Sequence, residues 1–204
     1  MSGQSAVEEL LDIYAAGLFP MARSADEPEL YLFDPPERGI LPVGGVHMSR
    51  SMRRVLRREG WRARANSDFA RIVDHCAARE TTWINNTLRA LYAALYRAGH
   101  AHSLGVYAGD ELIGGVFGVS LGRAFFAESM YSARPNASKA GLLYLSAHLE
   151  RQGFELWDTQ YPNPHLASLG GETISRRAYR ARLRAALEGE AASFGAGDLP
   201  PLPA

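Results

Sequence analysis

Phe125-Phe-Ala-Glu-Ser-Met-Tyr-Ser132 begins with two aromatic β-formers and turns polar at Glu128 and Ser129. Leu156-Trp-Asp-Thr-Gln160 has the same form, passing from Leu156 and Trp157 to Asp158 and Gln160. Strands send alternate residues to one face, so Asp158 and Gln160 point the same way with Cα atoms about 7 Å apart. Between the two runs, residues 137–152 carry Leu142, Leu143, Leu145, Ala147 and Leu149 and read as a helix. If that helix is a crossover, the second strand lies parallel to the first. Two strand ends bearing Glu128, Asp158 and Gln160 then form the walls of a site.

Upstream of this unit, residues 103–107, 112–119 and 124–128 read as strands turned at Gly109-Asp-Glu111 and Leu121-Gly-Arg123. Helices are expected over 49–59, 68–79 and 86–97, with a strand over 61–65. Nearer the start, a helix over 7–17 stops at Gly17, Leu18-Phe-Pro-Met21 forms an apolar corner, and short strands cover 30–33 and 38–42. Residues 1–42 are too few for a full core, so they are expected to form a small N-terminal α/β domain packed on residues 43–204. Downstream, Ser175 opens a helix over 175–187, and the glycine- and proline-rich tail 195–204 reads as irregular. The class is α+β. An antiparallel meander, a helix and a parallel strand follow the order of the GNAT acetyltransferase fold. The acyl-CoA loop of that fold needs glycines before the helix, and Arg134-Pro-Asn-Ala137 has none.

The 204-residue chain has zero formal net charge, so contact with nucleic acid has to come from local clusters of arginine. Arg50, Arg53, Arg54, Arg57 and Arg58 share a helix with the single acid Glu59. Taken alone they are open between a solvated face and a phosphate-contacting surface. Cys76, the only cysteine, sits in an apolar helical stretch and reads as a buried thiol. His100 and His102 read as structural polar groups. No spaced His/Cys set suggests a metal. No apolar run approaches ~20 residues, and the first residues lack a basic region followed by an apolar core. No membrane contact is expected, and the cytoplasm is the expected compartment.

The chain resembles the bacterial leucyl/phenylalanyl-tRNA–protein transferase family. The resemblance rests on Tyr14-Ala-Ala-Gly-Leu-Phe-Pro20, Asp34-Pro35, Arg38-Gly-Ile-Leu-Pro42, His47-Met-Ser-Arg-Ser-Met-Arg53 and Thr82-Trp-Ile-Asn85. It continues through Gly99-His-Ala-His-Ser103, Gly114-Gly-Val-Phe-Gly118, Glu128-Ser-Met-Tyr-Ser132, Ala137-Ser-Lys139, Asp158-Thr-Gln160 and His165-Leu-Ala-Ser-Leu-Gly170. These elements run in order over residues 8 to about 187. Each is weak alone; their number and order are specific.

The resemblance implies a small N-terminal domain and a GNAT-like C-terminal domain that uses no coenzyme A and no other cofactor. It implies transfer of Leu, Phe or Met from aminoacyl-tRNA to the α-amine of proteins beginning with Arg or Lys, which marks them for degradation. An aminoacyl ester is already activated, so transfer needs positioning, proton removal and oxyanion stabilisation rather than a metal or an enzyme nucleophile. By resemblance, the Gln160 oxygen accepts hydrogen from the attacking amine, Asp158 polarises that amide, and Glu128, beside Ser129 and held by neighbouring hydrogen bonds, orients the bound amino acid or Asp158. The same comparison offers Phe117, Phe126 and Met130 for the apolar amino-acid pocket, with Leu145 favoured as core, and Asn163 as a polar contact. Leu32 and Tyr107 stand where the family carries tryptophans around the tRNA 3′ end, which bears on substrate preference. Arg50, Arg53, Arg54 and Arg57, with Arg176 and Arg177 beside them, are the expected tRNA contacts. Two other readings stay open here: an acyl-CoA-dependent N-acetyltransferase of the same fold, and a tRNA-binding module without catalysis.

Overall fold

Two hairpins make the centre of the sheet. Strands β5 (Ala101–Ala108), β6 (Glu111–Leu121) and β7 (Ala124–Ser132) are joined by two-residue loops that open with Gly109 and Gly122 at φ +61° and +57°. Glycine takes that conformation without a Cβ penalty, which keeps both connections tight. Helix α5 (Ala137–Arg151) then crosses over, and β8 (Leu156–Gln160) returns parallel to β7. The computed structural model describes residues 3–202.

The remaining elements complete an eight-stranded mixed sheet in the order β10-β4-β5-β6-β7-β8-β3-β9, where β3 is Glu37–Leu41, β4 Arg62–Ala65, β9 Glu172–Ser175 and β10 Gly197–Asp198. Helices α1 (Gly3–Ala15), α3 (Phe69–Ala77), α4 (Asn86–Arg97) and α7 (Arg176–Leu187) cover one face through Tyr14, Ile72, Leu88, Tyr92, Tyr179 and Leu183. Helices α2 (Arg50–Glu59) and α5 cover the other through Met52, Leu142, Leu145 and Leu149. The glycines of β6 let both layers approach. A Cβ on Gly114 would meet that of Ala137 in α5 at 2.8 Å, and one on Gly115 would meet Ile72 in α3 at 2.9 Å.

The expected helices, meander and parallel strand are present. The Leu18–Met21 corner is instead a short strand, β1 (Phe19–Met21), paired with β2 (Tyr31–Phe33) in a separate two-stranded sheet. Pro20 fits there because a strand with only one neighbour has a free side for a residue without an N–H. Residues 3–42 are interleaved with the rest of the described chain. β3 lies inside the main sheet, between β8 and β9, and Tyr14 and Phe19 sit in the core shared with α3, α4 and α7. The tail contributes β10, and Phe194 just before it buries its ring. Helix α6 (Pro164–Ala167), β9 and β10 are not legible in the sequence as separate elements because each is too short for a period to show.

Candidate active site

β7 and β8 pair only from Ala124↔Leu156 to Phe126↔Asp158 and then part. Each carries an extra residue at that point. Phe117 faces Ser129 while Gly118 faces Ala127, which leaves Glu128 bulged out of β7. Gly39 faces Gln160 while Ile40 faces Asp158, which leaves Thr159 bulged out of β8. Bulges bend a strand and re-aim its side chains, and two of them open a wedge in the sheet.

Glu128 lies at the base of this wedge and is buried. Its Oε1 accepts from Tyr14 Oη at 2.8 Å and Gln160 Nε2 at 3.1 Å, and its Oε2 accepts from Tyr92 Oη at 2.7 Å. Burial pushes the Glu128 carboxyl up to about 7, against the pull of these three donors. Burial and the neighbouring carboxylate also hold the Tyr14 and Tyr92 hydroxyls well above their ordinary range, so both stay protonated donors. Because Gln160 donates its Nε2 to a carboxylate, its Oε1 is the acceptor end, and no donor among the described residues pairs with it.

Asp158 is fully buried and saturated. Arg38 grips it with Nε at 2.9 Å from Oδ1 and Nη2 at 2.7 Å from Oδ2, and Tyr179 Oη donates to Oδ2 at 2.8 Å. Oδ1 also accepts the backbone N–H of Gln160 at 2.7 Å. Arg38 is 1% exposed; its remaining nitrogen donates to the Gly17 carbonyl at 3.0 Å, and its guanidinium lies between the rings of Phe19 and Tyr179 at 4.6 and 4.3 Å. Burial works against the Arg38 charge, but hydrogen bonding to Asp158 and its negative charge outweigh that and raise the Arg38 pKa. Removing one member of such a buried pair costs about 3–5 kcal/mol, because the other charge is left without a partner.

The wedge encloses a cavity of about 200 Å³ lined by Trp83, Val116, Ala127, Glu128, Ser129, Met130, Leu142, Thr159 and Leu166, with Arg79 at its edge. The Arg79 guanidinium donates to the Met130 carbonyl. Through Thr159 and Leu166 the cavity adjoins a surface groove of about 380 Å³ that runs past Gly39, Asn163 and Glu172. An apolar recess with one caged carboxylate in its wall, itself bonded to the Gln160 amide, can hold an aliphatic or aromatic side chain and orient polar atoms against that carboxylate.

A family model described as leucyl/phenylalanyl-tRNA protein transferase matches residues 40–184. The chain is 63% identical to the leucyl/phenylalanyl-tRNA–protein transferase of Paracoccus denitrificans over 187 residues, covering 92% of this chain and 88% of that protein. It is 54% identical to the Cereibacter sphaeroides protein of the same name (89% and 85% covered) and 50% identical to that of Maricaulis maris (90% and 87% covered). This chain belongs to the leucyl/phenylalanyl-tRNA protein transferase family. It is an enzyme of that class. A solved structure of L-PGS from Bacillus licheniformis aligns over 94% of this chain and 70% of its own at a TM-score of 0.45 and 14% identity, too slight a likeness to bear on function.

The family residues do not all meet. Glu128, Gln160, Ser129 and Met130 gather at the wedge, with Asp158 beneath them. Asp158 reaches Gln160 through the backbone N–H and not through the side-chain amide, because the Arg38 fork and Tyr179 take its other contacts. Phe117 and Phe126 do not line the cavity. Both are fully buried on the opposite layer, Phe117 against Tyr92 at 5.1 Å and Phe126 against Tyr14 at 4.9 Å. Unbroken alternation would put Phe126, Glu128 and Met130 on one face; the bulge at Glu128 instead brings Ala127 and Met130 to the same side. Leu145 is core, as expected.

Other candidates stand apart from the wedge. Tyr107 is buried, donates to Asp68 at 2.6 Å and faces Leu112, several residues along β6 from the Glu128 bulge. Leu32 is 51% exposed on β2. Asn163 caps α6 by accepting from His165 N at 2.8 Å and borders the adjoining groove. Arg50, Arg53, Arg54 and Arg57 are exposed along α2, whereas Arg176 is engaged with Asp34 and Arg177 belongs to α7 on the opposite face of the sheet. Arg176 and Arg177 therefore do not lie beside the α2 row. Sequence reasoning gives no role to Tyr14, Arg38, Tyr92 or Tyr179. Arg38 carries a signal: a charge followed at once by the apolar run Gly39-Ile-Leu41 is headed into the core and needs a partner. The tyrosines sit on apolar helix faces and carry none.

Proposed function

We propose that the protein transfers Leu, Phe or Met from aminoacyl-tRNA to the α-amine of proteins beginning with Arg or Lys, creating an N-terminal degradation signal in the cytoplasm. The observation that carries this reading is the Gln160 amide, bonded through Nε2 to Glu128 in the wall of an apolar recess and left with an Oε1 that has no partner among the described residues. The unbranched Met130 and the aliphatic Val116, Leu142 and Leu166 suit a flexible apolar side chain in that recess. The acceptor amine approaches along the groove past Thr159 and donates a hydrogen bond to Gln160 Oε1. Its nitrogen attacks the ester carbonyl, the new C–N bond forms, the C–O bond to the ribose breaks, and the proton lost by the amine ends on the departing ribose oxygen. An amide is too weak a base to keep that proton, so Gln160 aligns the amine and the ribose removes the proton.

Asp158 is neutralised by Arg38, so the carboxylates bordering recess and groove are Glu128 and Glu172. They support selection of an acceptor with a basic first side chain. The α2 arginines support docking of the tRNA backbone. The order of meander, crossover helix and parallel strand, with a wedge between the parallel strands, supports a GNAT-like C-terminal unit in which coenzyme A has no glycine loop to occupy. The test is to incubate the protein with Leu-tRNA and a peptide beginning with Arg, beside peptides beginning with Ala and Gln. The expected product is the Arg peptide heavier by one leucine residue. No added mass on any peptide, or addition of acetyl from acetyl-CoA instead, would overturn the proposal. Equal transfer to all first residues would overturn the acceptor assignment alone.

A further inference from the structure

Three residues with side chains beyond glycine have positive φ among the described residues: Asn66, Asn136 and Gln160. Asparagine tolerates the left-handed region through local hydrogen bonding. Glutamine has no such habit, yet Gln160 sits at φ +64°, next in sequence to Thr159 and bonded to Glu128, both of which line the recess. Its backbone is held there by its own neighbour, since the Asp158 Oδ1 accepts the Gln160 N–H across a two-residue turn. That turn needs Asp158 in one rotamer. The Arg38 fork and the Tyr179 hydroxyl fix it, and Arg38 is fixed in turn by the Phe19 and Tyr179 rings and the Gly17 carbonyl.

We propose that Arg38 and Tyr179 are positioning residues for transfer, acting through Asp158 to hold the Gln160 backbone in the conformation that delivers its side-chain amide to Glu128 and leaves Oε1 without a protein partner. The inference rests on the reading of Gln160 as the group that aligns the acceptor amine. Asp158 is buried and its oxygens are occupied, so it meets no substrate. The Arg38 and Tyr179 side chains thereby set the geometry of a residue to which neither of them hydrogen-bonds.

The test is a double-mutant cycle read in single-turnover transfer from Leu-tRNA to an Arg peptide, with aminoacyl-tRNA affinity and thermal unfolding measured alongside. Arg38→Lys keeps the charge and loses the fork. It is expected to lower the transfer rate by about 10- to 100-fold, the scale of a displacement of an ångström, with tRNA affinity unchanged. Gln160→Ala is expected to lower the rate by ~10²–10⁴. In the Gln160→Ala background, Arg38→Lys should have no further effect, because nothing is left to position. Tyr179→Phe, which removes a single hydroxyl, should show the same pattern more weakly and serves if Arg38→Lys does not fold. A rate loss from Arg38→Lys or Tyr179→Phe that persists undiminished without the Gln160 side chain would overturn the proposal while leaving Gln160 in its role. So would a folded variant with unchanged rate. Normal transfer by Gln160→Ala would instead overturn the role of Gln160, and this inference with it.

Discussion

His102 and Glu128 are both buried titratable groups, and burial pushes them in opposite directions. His102 Nδ1 accepts from Asn66 Nδ2 at 3.1 Å, which leaves Nε2 to donate to Ser120 Oγ at 2.9 Å, and its ring stacks on Phe194 at 4.5 Å. Burial, joined by electrostatic repulsion from the His100 and His148 side chains, lowers its pKa to about 4. The folded state therefore binds fewer protons than the unfolded one between about 4 and the ordinary histidine value near 6.5. Stability falls as pH drops through that window, by up to about 3 kcal/mol from this group. Glu128 is raised to about 7, so its folded form keeps a proton that the unfolded chain has released. Its contribution is present at low pH and is lost as pH rises through about 7. Urea unfolding from pH 4.5 to 8 checks both. His102→Gln should flatten the acid limb, and Glu128→Gln should flatten the decline towards neutral pH. Slopes identical to those of the parent would remove these groups from the account.

Among the helices, α2 and α7 are equally rich in arginine but differ in what that charge is used for. Ser49 caps α2 by accepting from Met52 N at 3.1 Å, and Gly60 ends it in the left-handed conformation. Met52 is its one fully buried anchor, and Arg50, Arg53, Arg54 and Arg57 make no ion pair among the described residues. On α7, Arg176 and Arg180 both pair with Asp34, and Arg182 lies 3.8 Å from Glu172. Replacing Arg53, Arg54 and Arg57 together by Gln should reduce the salt slope of tRNA binding by about 2–3 units if all three meet phosphates. Arg176→Gln should leave that slope unchanged. The measurement is affinity for Leu-tRNA against salt concentration. An unaltered slope for the triple variant would return α2 to an ordinary solvated surface.

At the scale of the whole molecule, residues 3–42 share a sheet and a core with residues 43–202. They provide the strand between β8 and β9, the Arg38 partner of Asp158 and the Tyr14 donor to Glu128. A chain of residues 43–204 would leave Asp158 a buried charge without its cation, a penalty of about 3–5 kcal/mol within a typical stability of 5–15. It would also expose the edges of β8 and β9. We expect this fragment to lack a cooperative thermal transition by circular dichroism. A sharp transition near that of the full chain would show that residues 43–204 fold alone.

Local physics is written in the chain and is legible there. The leucine spacing of α5, the serine caps of α2 and α7, and the glycine turns of the meander act within a few residues of themselves, so the parallel return of β8 can be inferred from them. The same holds for the family motifs, which are strings of neighbouring residues. Other features depend on partners far apart in sequence. Arg38 and Asp158 are 120 positions apart, and Tyr14 and Glu128 are 114 apart. The place of β3 in the sheet depends on pairing with β8 and β9 together. The bulges at Glu128 and Thr159 are departures from alternation, and a reading built on alternation cannot find them. Tertiary structure therefore decided which side chains line the recess, why Phe117 and Phe126 do not, and why Asp158 faces an arginine instead of substrate: long-range pairing selects among local conformations that the sequence leaves nearly equal in energy.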